Sequence, residues 1–336
     1  MRRYLERHWY RDEPPPRWLQ PLSRLYASVA ERRAQRQRAV AQCLPVPVIV
    51  VGNVAVGGTG KTPCVLWIVA ALQAMGRHPG ILSRGYGGRG PFPLTVDAQT
   101  APAICGDEPA LLARRARVPL ACAPDRVAAG RHLLAAHPEV DVLVCDDGLQ
   151  HYRLARDLEF CVVDAARGFG NGWQLPAGPL REPRARAEAC ALLLVNGSAA
   201  AAYGLKSACF DLVADGVRRV GGAEQRSFAD FAAREVCAVA GIGRPQRFFN
   251  MLRQRGLTMH GRAFADHHAY RAADFAFAAG APVLMTEKDA VKCEALPVRE
   301  LWYVPVTACF SPTAEQQVVD CLAQLPRPAV GARPLP

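Results

Sequence analysis

The stretch G-G-T-G-K-T, residues 57–62, combines three glycines with Lys61 and Thr62. Glycines let the backbone turn several N–H groups toward one point, where the Lys61 ammonium adds a compact positive charge. Such a loop binds the phosphates of a nucleotide, and the Thr62 hydroxyl is a suitable ligand for the Mg²⁺ that accompanies them. The residues predicted to contact the nucleotide are Gly57, Gly58, Thr59, Gly60, Lys61 and Thr62.

The surroundings of this loop favour phosphate binding over a turn that merely joins a strand to a helix. The apolar run P-V-I-V-V-G before it is typical of a strand buried in a parallel sheet, and the residues after it continue as a helix. The common spacing G-x-x-x-x-G-K-[ST] is not fully met, because Ala55 stands at the position of its first glycine. Gly57 and Gly58 are expected to supply the flexibility instead.

Two adjacent carboxylates, Asp146 and Asp147, end the apolar run V-L-V-C. A carboxylate at the carboxyl end of a strand, beside a phosphate loop, holds Mg²⁺ in many nucleotide-binding folds. Adjacent strand residues point to opposite faces, so we expect one carboxylate to face the metal and the other to fix a loop or a substrate group. The alternative is an ordinary acidic turn, since D-D-G is a common turn sequence.

Two further motifs place acids or histidines where proton transfer is possible. G-D-E-P puts Asp107 and Glu108 in the first turn of a predicted helix, where acids either bind a ligand or only cap the helix. A-D-H-H puts Asp266 before His267, and a carboxylate beside an imidazole can relay a proton from an alcohol. The alternative for the second motif is a helix cap followed by surface histidines.

Positive charge for a phosphoryl group is available in two loops rich in glycine and proline. S-R-G-Y-G-G-R-G begins at Ser83, and L-P-A-G-P-L-R-E-P contains Arg181 near its end. An arginine in either loop can neutralise a transferred phosphoryl group, although such loops are also ordinary surface connections. Lys288, in T-E-K-D after a late apolar run, is predicted to flank the base of the nucleotide.

These motifs follow short apolar runs that alternate with helical stretches from residue 46 onward. Such alternation predicts an α/β fold, with a parallel sheet wrapped by helices as in P-loop nucleotide-binding proteins. A second, shorter α/β series begins near residue 235, after a less regular segment. The predicted domains are an N-terminal helical segment 1–44, a P-loop domain 45–225, a smaller C-terminal α/β domain 226–325 and a disordered tail 326–336.

The N-terminal segment carries much of the positive charge of a chain whose formal net charge is +11. Residues 1–40 contain ten arginines against four acids, interleaved with Trp, Tyr and Leu. An amphipathic helix of this composition suits the headgroup layer of an anionic membrane. A nucleic-acid partner and a solvated helix face are the alternatives; no recognised nucleic-acid module follows, so no nucleic acid is expected.

Other features of the composition narrow the class of protein. No run of 18 or more apolar residues occurs, so no membrane-spanning helix is expected. The first residues lack the apolar core of a secretory signal. The twelve cysteines are scattered without a C-x-x-C pair, which indicates a reduced cytosol and neither a zinc site nor a disulfide framework.

Taken together, seven motifs resemble the tetraacyldisaccharide 4′-kinase family of Gram-negative bacteria, the lipid A 4′-kinases. They occur in the family's order across residues 46–292: P-V-I-V-V-G-N-V-A-V-G-G-T-G-K-T-P, S-R-G-Y-G-G, G-D-E-P, D-D-G-L-Q-H, L-P-A-G-P-L-R-E-P, D-H-H and T-E-K-D. The basic, aromatic N-terminal segment also resembles the membrane-docking helix of that family. Ala55 fits the match, because the family's loop departs from the common spacing too.

The resemblance implies transfer of the γ-phosphate of ATP, with Mg²⁺, to the 4′-hydroxyl of a tetraacyldisaccharide 1-phosphate in lipid A biosynthesis. It implies a peripheral protein at the cytoplasmic face of the bacterial inner membrane, and we expect a monomer because nothing indicates an obligate dimer. Asp107 and His267 would be the proton-relay pair, meeting across the cleft when the two domains close. Lys61 would hold the phosphates, and Arg181 would stabilise the transferring phosphoryl group. Thr62 would bind Mg²⁺ with help from one or more of three acids: Glu108, Asp146 and Asp147.

A membrane-associated P-loop ATPase that works as a nucleotide-gated switch is the alternative from another class. Such proteins carry a lysine just before the two glycines, where this chain has Val56. Neither G-D-E-P nor D-H-H has a role in that class. A nucleotide-binding membrane protein without catalysis would also leave the acids and histidines unused, so the kinase is the favoured interpretation.

Overall fold

The structure, a computed structural model, describes residues 6, 8–11, 13–198 and 206–326. Parts of the predicted N-terminal segment, and the predicted tail from residue 327 onward, lie outside these ranges. Within them, the strands form two sheets. The strands are β1 (Val48–Gly52), β2 (Pro79–Ser83), β3 (Leu94–Thr95), β4 (Leu120–Cys122), β5 (Val142–Asp146), β6 (Leu158–Asp164), β7 (Leu192–Asn196), β8 (Ser207–Ala214), β9 (Val217–Arg219), β10 (Gln225–Arg226), β11 (Val236–Ala240), β12 (Met259–Ala263), β13 (Val283–Thr286), β14 (Leu301–Val304) and β15 (Val306–Phe310).

Helices connect most of these strands, and one long helix precedes them. The α-helices are α1 (Leu19–Ala39), α2 (Lys61–Ala74), α3 (Pro102–Cys105), α4 (Asp107–Ala116), α5 (Arg126–Ala136), α6 (Arg184–Glu188), α7 (Ala229–Ala232), α8 (Pro245–Gln254), α9 (Glu287–Ala290) and α10 (Pro312–Ala323), with a 3₁₀ helix at Ala272–Ala278.

The larger sheet has nine strands in the order β15-β8-β7-β6-β1-β5-β2-β4-β3. The strands from β8 to β4 run parallel, and β15 and β3 pair antiparallel at its edges. Strand β1 is buried along its whole length, and its alternate residues enter two different cores, Ile49 and Val51 on one face and Val48 and Val50 on the other. This arrangement confirms the predicted α/β fold with a parallel sheet wrapped by helices.

Parallel strands bring their carboxyl ends to one edge of the sheet, and polar residues end several of them. Asp146 is the last residue of β5, Asp164 of β6 and Asn196 of β7. The chain leaves β1 at the same edge and enters the glycine-rich loop. All of these groups therefore converge on one region of the surface.

The smaller sheet has six strands in the order β10-β9-β14-β13-β11-β12, all within residues 217–304. The chain then returns to the larger sheet, where β15 pairs with β8 and buries Ala308 and Phe310 in the same core as α10. The small domain is therefore an insertion, which differs from the predicted range 226–325. The sequence patterns did not reveal that the chain returns to the larger sheet, because β15 follows β14 almost directly and continues the same α/β series.

Helix α1 packs on the large domain through one face, on which Leu19, Ser23 and Ala34 are buried. The Ser23 hydroxyl donates to the backbone oxygen of Gln174 at 2.7 Å. Across the described ranges of the chain, no helix is both long enough and apolar enough to cross a membrane.

Candidate active site

The phosphate loop spans residues 53–60, between the end of β1 and the first turn of α2. Gly57 and Gly60 have φ angles of 113° and 99°, in a region that residues with a side chain rarely adopt. Lys61 begins α2, and its ammonium lies 3.4 Å from the side-chain oxygen of Asn53 at the start of the loop. The loop therefore curls back on itself, and residues 57–62 all line one cavity.

Ala55 stands where the common loop has its first glycine, and it pairs with Leu180 in an antiparallel bridge. Beside this bridge, the Arg181 N–H donates to the backbone oxygen of Val54 at 2.7 Å. An alanine is compatible with such a bridge, since extended backbone needs no glycine. The pairing also carries Arg181 to the phosphate loop.

The Asp147 carboxylate lies between two positively charged side chains at this loop. It follows the last residue of β5 and has a φ angle of 49°, so the chain has already left the strand there. Its Oδ1 atom lies 3.5 Å from Lys61 Nζ, and its Oδ2 atom lies 3.4 Å from Arg181 Nη1. Burial acts to raise the pKa of Asp147, but the charges of Lys61 and Arg181 outweigh it and lower the pKa to about 2.

Asp146 has the opposite environment. It is 1 % exposed, and its Oδ1 atom has no hydrogen-bond partner within the described part of the chain. Burial, followed by the negative charges of Glu108 and Asp147, raises the pKa of this carboxyl group to about 7. A buried carboxylate oxygen without a partner, beside a phosphate loop, suits a divalent cation.

The residues present therefore fit Mg²⁺, and Asp146 and Thr62 are the side chains that would hold it. No group of three or more His, Cys, Asp and Glu side chains suited to a metal occurs among the residues described. Mg²⁺ commonly binds through one or two protein ligands together with water and substrate phosphates, so a complete protein cage is not required.

Asp146 leads to a prediction about the stability of the metal-free protein. Its pKa is about 7 in the folded state, above the value of about 4 expected in the unfolded chain. The stability it contributes is therefore fully present below about pH 4 and is lost as the pH rises through 7. We expect Asp146→Asn to raise the melting temperature by several degrees at pH 8 in EDTA, equivalent to on the order of 2–4 kcal/mol, and much less at pH 5.

Thermal unfolding of both proteins at the two pH values measures this effect. Asp211→Asn, a change of the same kind at an exposed position of β8, is the matched control and should shift neither melting temperature. Mg²⁺ at pH 8 should stabilise the wild type more than Asp146→Asn. Equal melting temperatures for wild type and Asp146→Asn at both pH values would contradict the prediction.

Asp107 and His267 are 160 residues apart in sequence and in contact in the structure, with His267 Nδ1 at 3.1 Å from Asp107 Oδ2. Asp107 begins α4 of the large domain, whereas His267 lies in the loop after β12 of the small domain. An ionised carboxylate only accepts hydrogen bonds, so Nδ1 donates to it and Nε2 remains to accept a proton. His267 lines the same cavity as Lys61.

Lys288 and Glu108 form an ion pair next to these two residues. Lys288 Nζ lies 3.1 Å from Glu108 Oε1 and 3.8 Å from Asp266 Oδ1. Burial alone would lower the pKa of Lys288, but the charges of Glu108 and Asp266 outweigh it and raise the pKa. The predicted roles, Lys288 at the nucleotide base and Glu108 on the metal, stay predictions, and either role would compete with this ion pair.

A cavity of about 1950 Å³ lies between the two domains and extends to α1. It brings together most of the residues that the sequence predicted for the site. Those that line it are Gly57, Gly58, Thr59, Gly60, Lys61, Thr62, Glu108, Asp146, Asp147, Arg181, His267 and Lys288. Asp107 contacts one of these lining residues, His267.

Sequence reasoning missed other polar residues of this cavity, among them Asp164 and Asn196. Both end a buried apolar strand, which is the signal that singled out Asp146, and the same rule would have found them. Arg247, in the first turn of α8, and Arg244, the residue just before that helix, also line the cavity from the small domain. No local pattern marks these two arginines among the many in the chain.

The buried parallel strand, the glycine-rich loop ending in Lys61 and Thr62, and the acids on the neighbouring strand define a P-loop nucleotide-binding protein. Residues 16–323 match the family model described as Tetraacyldisaccharide-1-P 4′-kinase. The chain belongs to that family, which confirms the resemblance seen in its motifs.

Individual relatives agree with this result. A protein named tetraacyldisaccharide 4′-kinase from Azoarcus sp. (strain BH72) is 49% identical over 322 residues, which cover 94% of this chain and 94% of that protein. One of the same name from Stenotrophomonas maltophilia (strain R551-3) is 49% identical over 314 residues, covering 90% and 91%. Among solved structures, the apo form of LpxK from Aquifex aeolicus in complex with ATP has a TM-score of 0.72 and 27% identity, covering 89% of this chain and 96% of that chain.

Proposed function

We propose that this protein transfers the γ-phosphate of ATP to the 4′-hydroxyl of a tetraacyldisaccharide 1-phosphate. The observation that carries the proposal is one cavity lined both by the phosphate loop and by His267, whose Nδ1 atom lies 3.1 Å from Asp107. A phosphate loop alone fits many ATPases, whereas an Asp–His pair beside it fits transfer to an alcohol. Membership of the 4′-kinase family supports the choice of that alcohol.

The phosphates of ATP bind to the loop in this mechanism. Residues 57–61 supply N–H groups and the Lys61 ammonium at the N-terminus of α2, where the helix dipole favours negative charge. Arg181, at 3.4 Å from Asp147, neutralises charge that builds up on the transferring phosphoryl group. Mg²⁺, when held by Asp146 and Thr62, supplies further charge neutralisation. Positioning and charge neutralisation are the main requirements of phosphoryl transfer.

The acceptor hydroxyl loses its proton to the histidine. The 4′-oxygen attacks the γ-phosphorus, and the bond from that phosphorus to the bridging oxygen of ADP breaks. His267 Nε2 accepts the hydroxyl proton, while the Asp107 carboxylate orients the ring and stabilises the imidazolium that results. The pair therefore acts on the acceptor and the loop acts on the donor.

The part of the cavity that α1 lines suits a lipid. Tyr26, Val29 and Arg33 of this helix are among its lining residues. A substrate with a polar disaccharide and apolar chains would place its sugar near the phosphate loop and its chains along this helix. The positive charge of Arg33 and its neighbours suits the 1-phosphate group.

An apolar stripe on and just before α1 supports docking to an anionic membrane. Four large apolar side chains between residues 18 and 29 are 46 % to 63 % exposed, and their spacing of four, three and four residues puts them on one helix face. They are Trp18, Leu22, Leu25 and Val29. Exposed Arg32 and Arg36 continue the same face. This stripe favours a membrane over a nucleic acid, because apolar side chains gain little from a phosphate backbone. We propose that the protein is peripheral to the cytoplasmic face of the inner membrane and acts as a monomer.

We expect the double variant Leu22→Glu/Leu25→Glu to bind anionic vesicles at least about tenfold more weakly than the wild type, because two inserted leucines are replaced by charges. Co-sedimentation with vesicles of phosphatidylglycerol and phosphatidylethanolamine measures the change. Ser28→Glu/Gln35→Glu is the matched control, since it adds the same charge at exposed positions of α1 outside the stripe. Equal vesicle binding by the two double variants would argue against the stripe as the docking face.

Label transfer from γ-labelled ATP to tetraacyldisaccharide 1-phosphate in mixed micelles tests the proposed function. A disaccharide that lacks only the 4′-hydroxyl is the matched control acceptor. Labelled product from the first acceptor and none from the second is the expected result. Hydrolysis of ATP with no labelled lipid would overturn the proposal and favour the nucleotide-gated switch.

A further inference from the structure

A chain of hydrogen bonds connects the small domain to the phosphate loop. Arg247, in the first turn of α8, donates from Nη2 to the side-chain oxygen of Asn196 at 3.0 Å. Asn196, the last residue of β7, donates from Nδ2 to the backbone oxygen of Thr59, also at 3.0 Å. The chain thus runs from a helix of the small domain, through a residue of the large domain, to the loop that precedes Lys61.

A buried carboxylate holds the arginine end of this chain. Asp164 is 3 % exposed, and its Oδ2 atom accepts from Arg244 at 2.7 Å and from Arg247 at 3.0 Å. An arginine presents a planar fork of donors, so Arg247 binds Asp164 through Nη1 and Asn196 through Nη2 at the same time. Arg244 binds the same carboxylate, whereas the contact to Asn196 belongs to Arg247.

The loop fits closely around Asn196, which is 3 % exposed. A Cβ atom added at Gly60 would lie 2.9 Å from the Asn196 side-chain nitrogen, so even a methyl group there would collide. The Asn196 side-chain amide can make both hydrogen bonds in one orientation only. Its oxygen must face Arg247 and its nitrogen the Thr59 carbonyl, because the reverse would set donor against donor and acceptor against acceptor. Arg247 selects the orientation that holds the loop.

We propose that Arg247 is a positioning residue for ATP, acting through Asn196 to hold the phosphate loop in the conformation that receives the phosphates. The inference rests on the proposed function in that ATP is the nucleotide, and it adds a role for the small domain that is separate from His267. Docking of α8 against the large domain then sets the affinity for the β- and γ-phosphates. A nucleotide without those phosphates does not depend on this chain of hydrogen bonds.

Equilibrium binding of Mg·ATP and of AMP, measured by titration calorimetry, tests the inference. Arg247→Met should weaken ATP binding on the order of tenfold, because the loop loses an oriented buried hydrogen bond, and should change AMP binding by less than about twofold. Asn196→Ala should weaken ATP binding by a similar factor. The double variant should bind no more weakly than either single variant, because both residues act through one chain.

Two matched variants separate this role from the ion pair with Asp164. Arg244→Met loses a contact with the same carboxylate but keeps the Arg247–Asn196 bond, so it should weaken ATP binding clearly less than Arg247→Met does. Arg247→Lys keeps a positive charge beside Asp164, which preserves the fold, but a single ammonium cannot replace the two arms of the fork. It should lose about as much ATP affinity as Arg247→Met.

Wild-type ATP affinity in Arg247→Lys would overturn the inference. So would a further loss in the double variant beyond either single one, since Arg247 would then contact the nucleotide itself, or an equal loss of AMP binding. If the wild type binds ATP and labels the lipid while these variants match it, only the inference fails. If the wild type binds no ATP, the proposed function fails as well.

Discussion

Replacing Lys61 with methionine is expected to lower kcat/KM for lipid phosphorylation on the order of 1000-fold. Methionine keeps most of the length of the side chain and removes the ammonium that would neutralise the phosphates. The change also removes a positive charge beside Asp147, whose Oδ1 atom lies 3.5 Å from Lys61 Nζ, and leaves Arg181 at its Oδ2 atom. That carboxylate would then repel the nucleotide more strongly. Both effects act in the same direction, which is why a large loss is expected here.

Label transfer to the lipid over a range of ATP concentrations measures the effect of Lys61→Met. Lys206→Met is the matched control, because Lys206 is an exposed lysine just before β8, and its activity should stay within about twofold of the wild type. Thermal unfolding checks that both variants are folded. A loss of less than about tenfold in a folded Lys61→Met protein would contradict the placement of the phosphates on this loop.

The second large effect is expected at His267. His267→Asn should lower kcat by about 100- to 10,000-fold with little change in KM for ATP, because it removes the group that accepts the hydroxyl proton and leaves the phosphate loop intact. Asp107→Asn should lower kcat as well, since the ring loses the carboxylate at 3.1 Å that orients and stabilises it. The double variant should be no less active than His267→Asn alone, because Asp107 acts through the histidine.

The neighbouring histidine supplies a matched control for His267→Asn. His268 Nε2 lies 3.0 Å from Asp274 Oδ2, and its ring stacks on Phe264, so it belongs to the packing of the small domain. His268→Asn should therefore keep kcat within about threefold of the wild type. Lipid labelling that survives undiminished in both His267→Asn and Asp107→Asn would retain a kinase and remove the proton relay from the mechanism.

The sequence by itself determined the phosphate loop, the α/β fold and the family. These signals are local: an unbroken apolar run predicts a buried strand, glycines at 57 and 60 permit positive φ angles, and Lys61 and Thr62 follow at once. Each signal depends on residues that are close together in the sequence. It can therefore be recognised without knowing which distant segments are in contact. The rule that polar residues end buried strands found Asp146, and applied consistently it would have found Asp164 and Asn196.

The environments of the two adjacent carboxylates were decided only by the tertiary structure. Strand alternation indicated that the side chains of Asp146 and Asp147 point in different directions, but not which groups surround each of them. The fold buries Asp146, one oxygen of which has no hydrogen-bond partner among the described residues, and it places Lys61 and Arg181 beside Asp147. Burial and neighbouring charge move the two pKa values in opposite directions, to about 7 and about 2, and both causes lie in distant segments of the chain.

Contacts between the two domains could not be predicted from local sequence patterns either. His267 and Asp107 lie 160 residues apart and meet because an inserted domain packs against the large one. The same packing brings Arg247 to Asn196. The return of β15 to the larger sheet follows from its pairing with β8, which the local turn sequence does not predict. Such contacts depend on which faces of separate elements bury each other, and side-chain spacing along the chain carries no information about that choice.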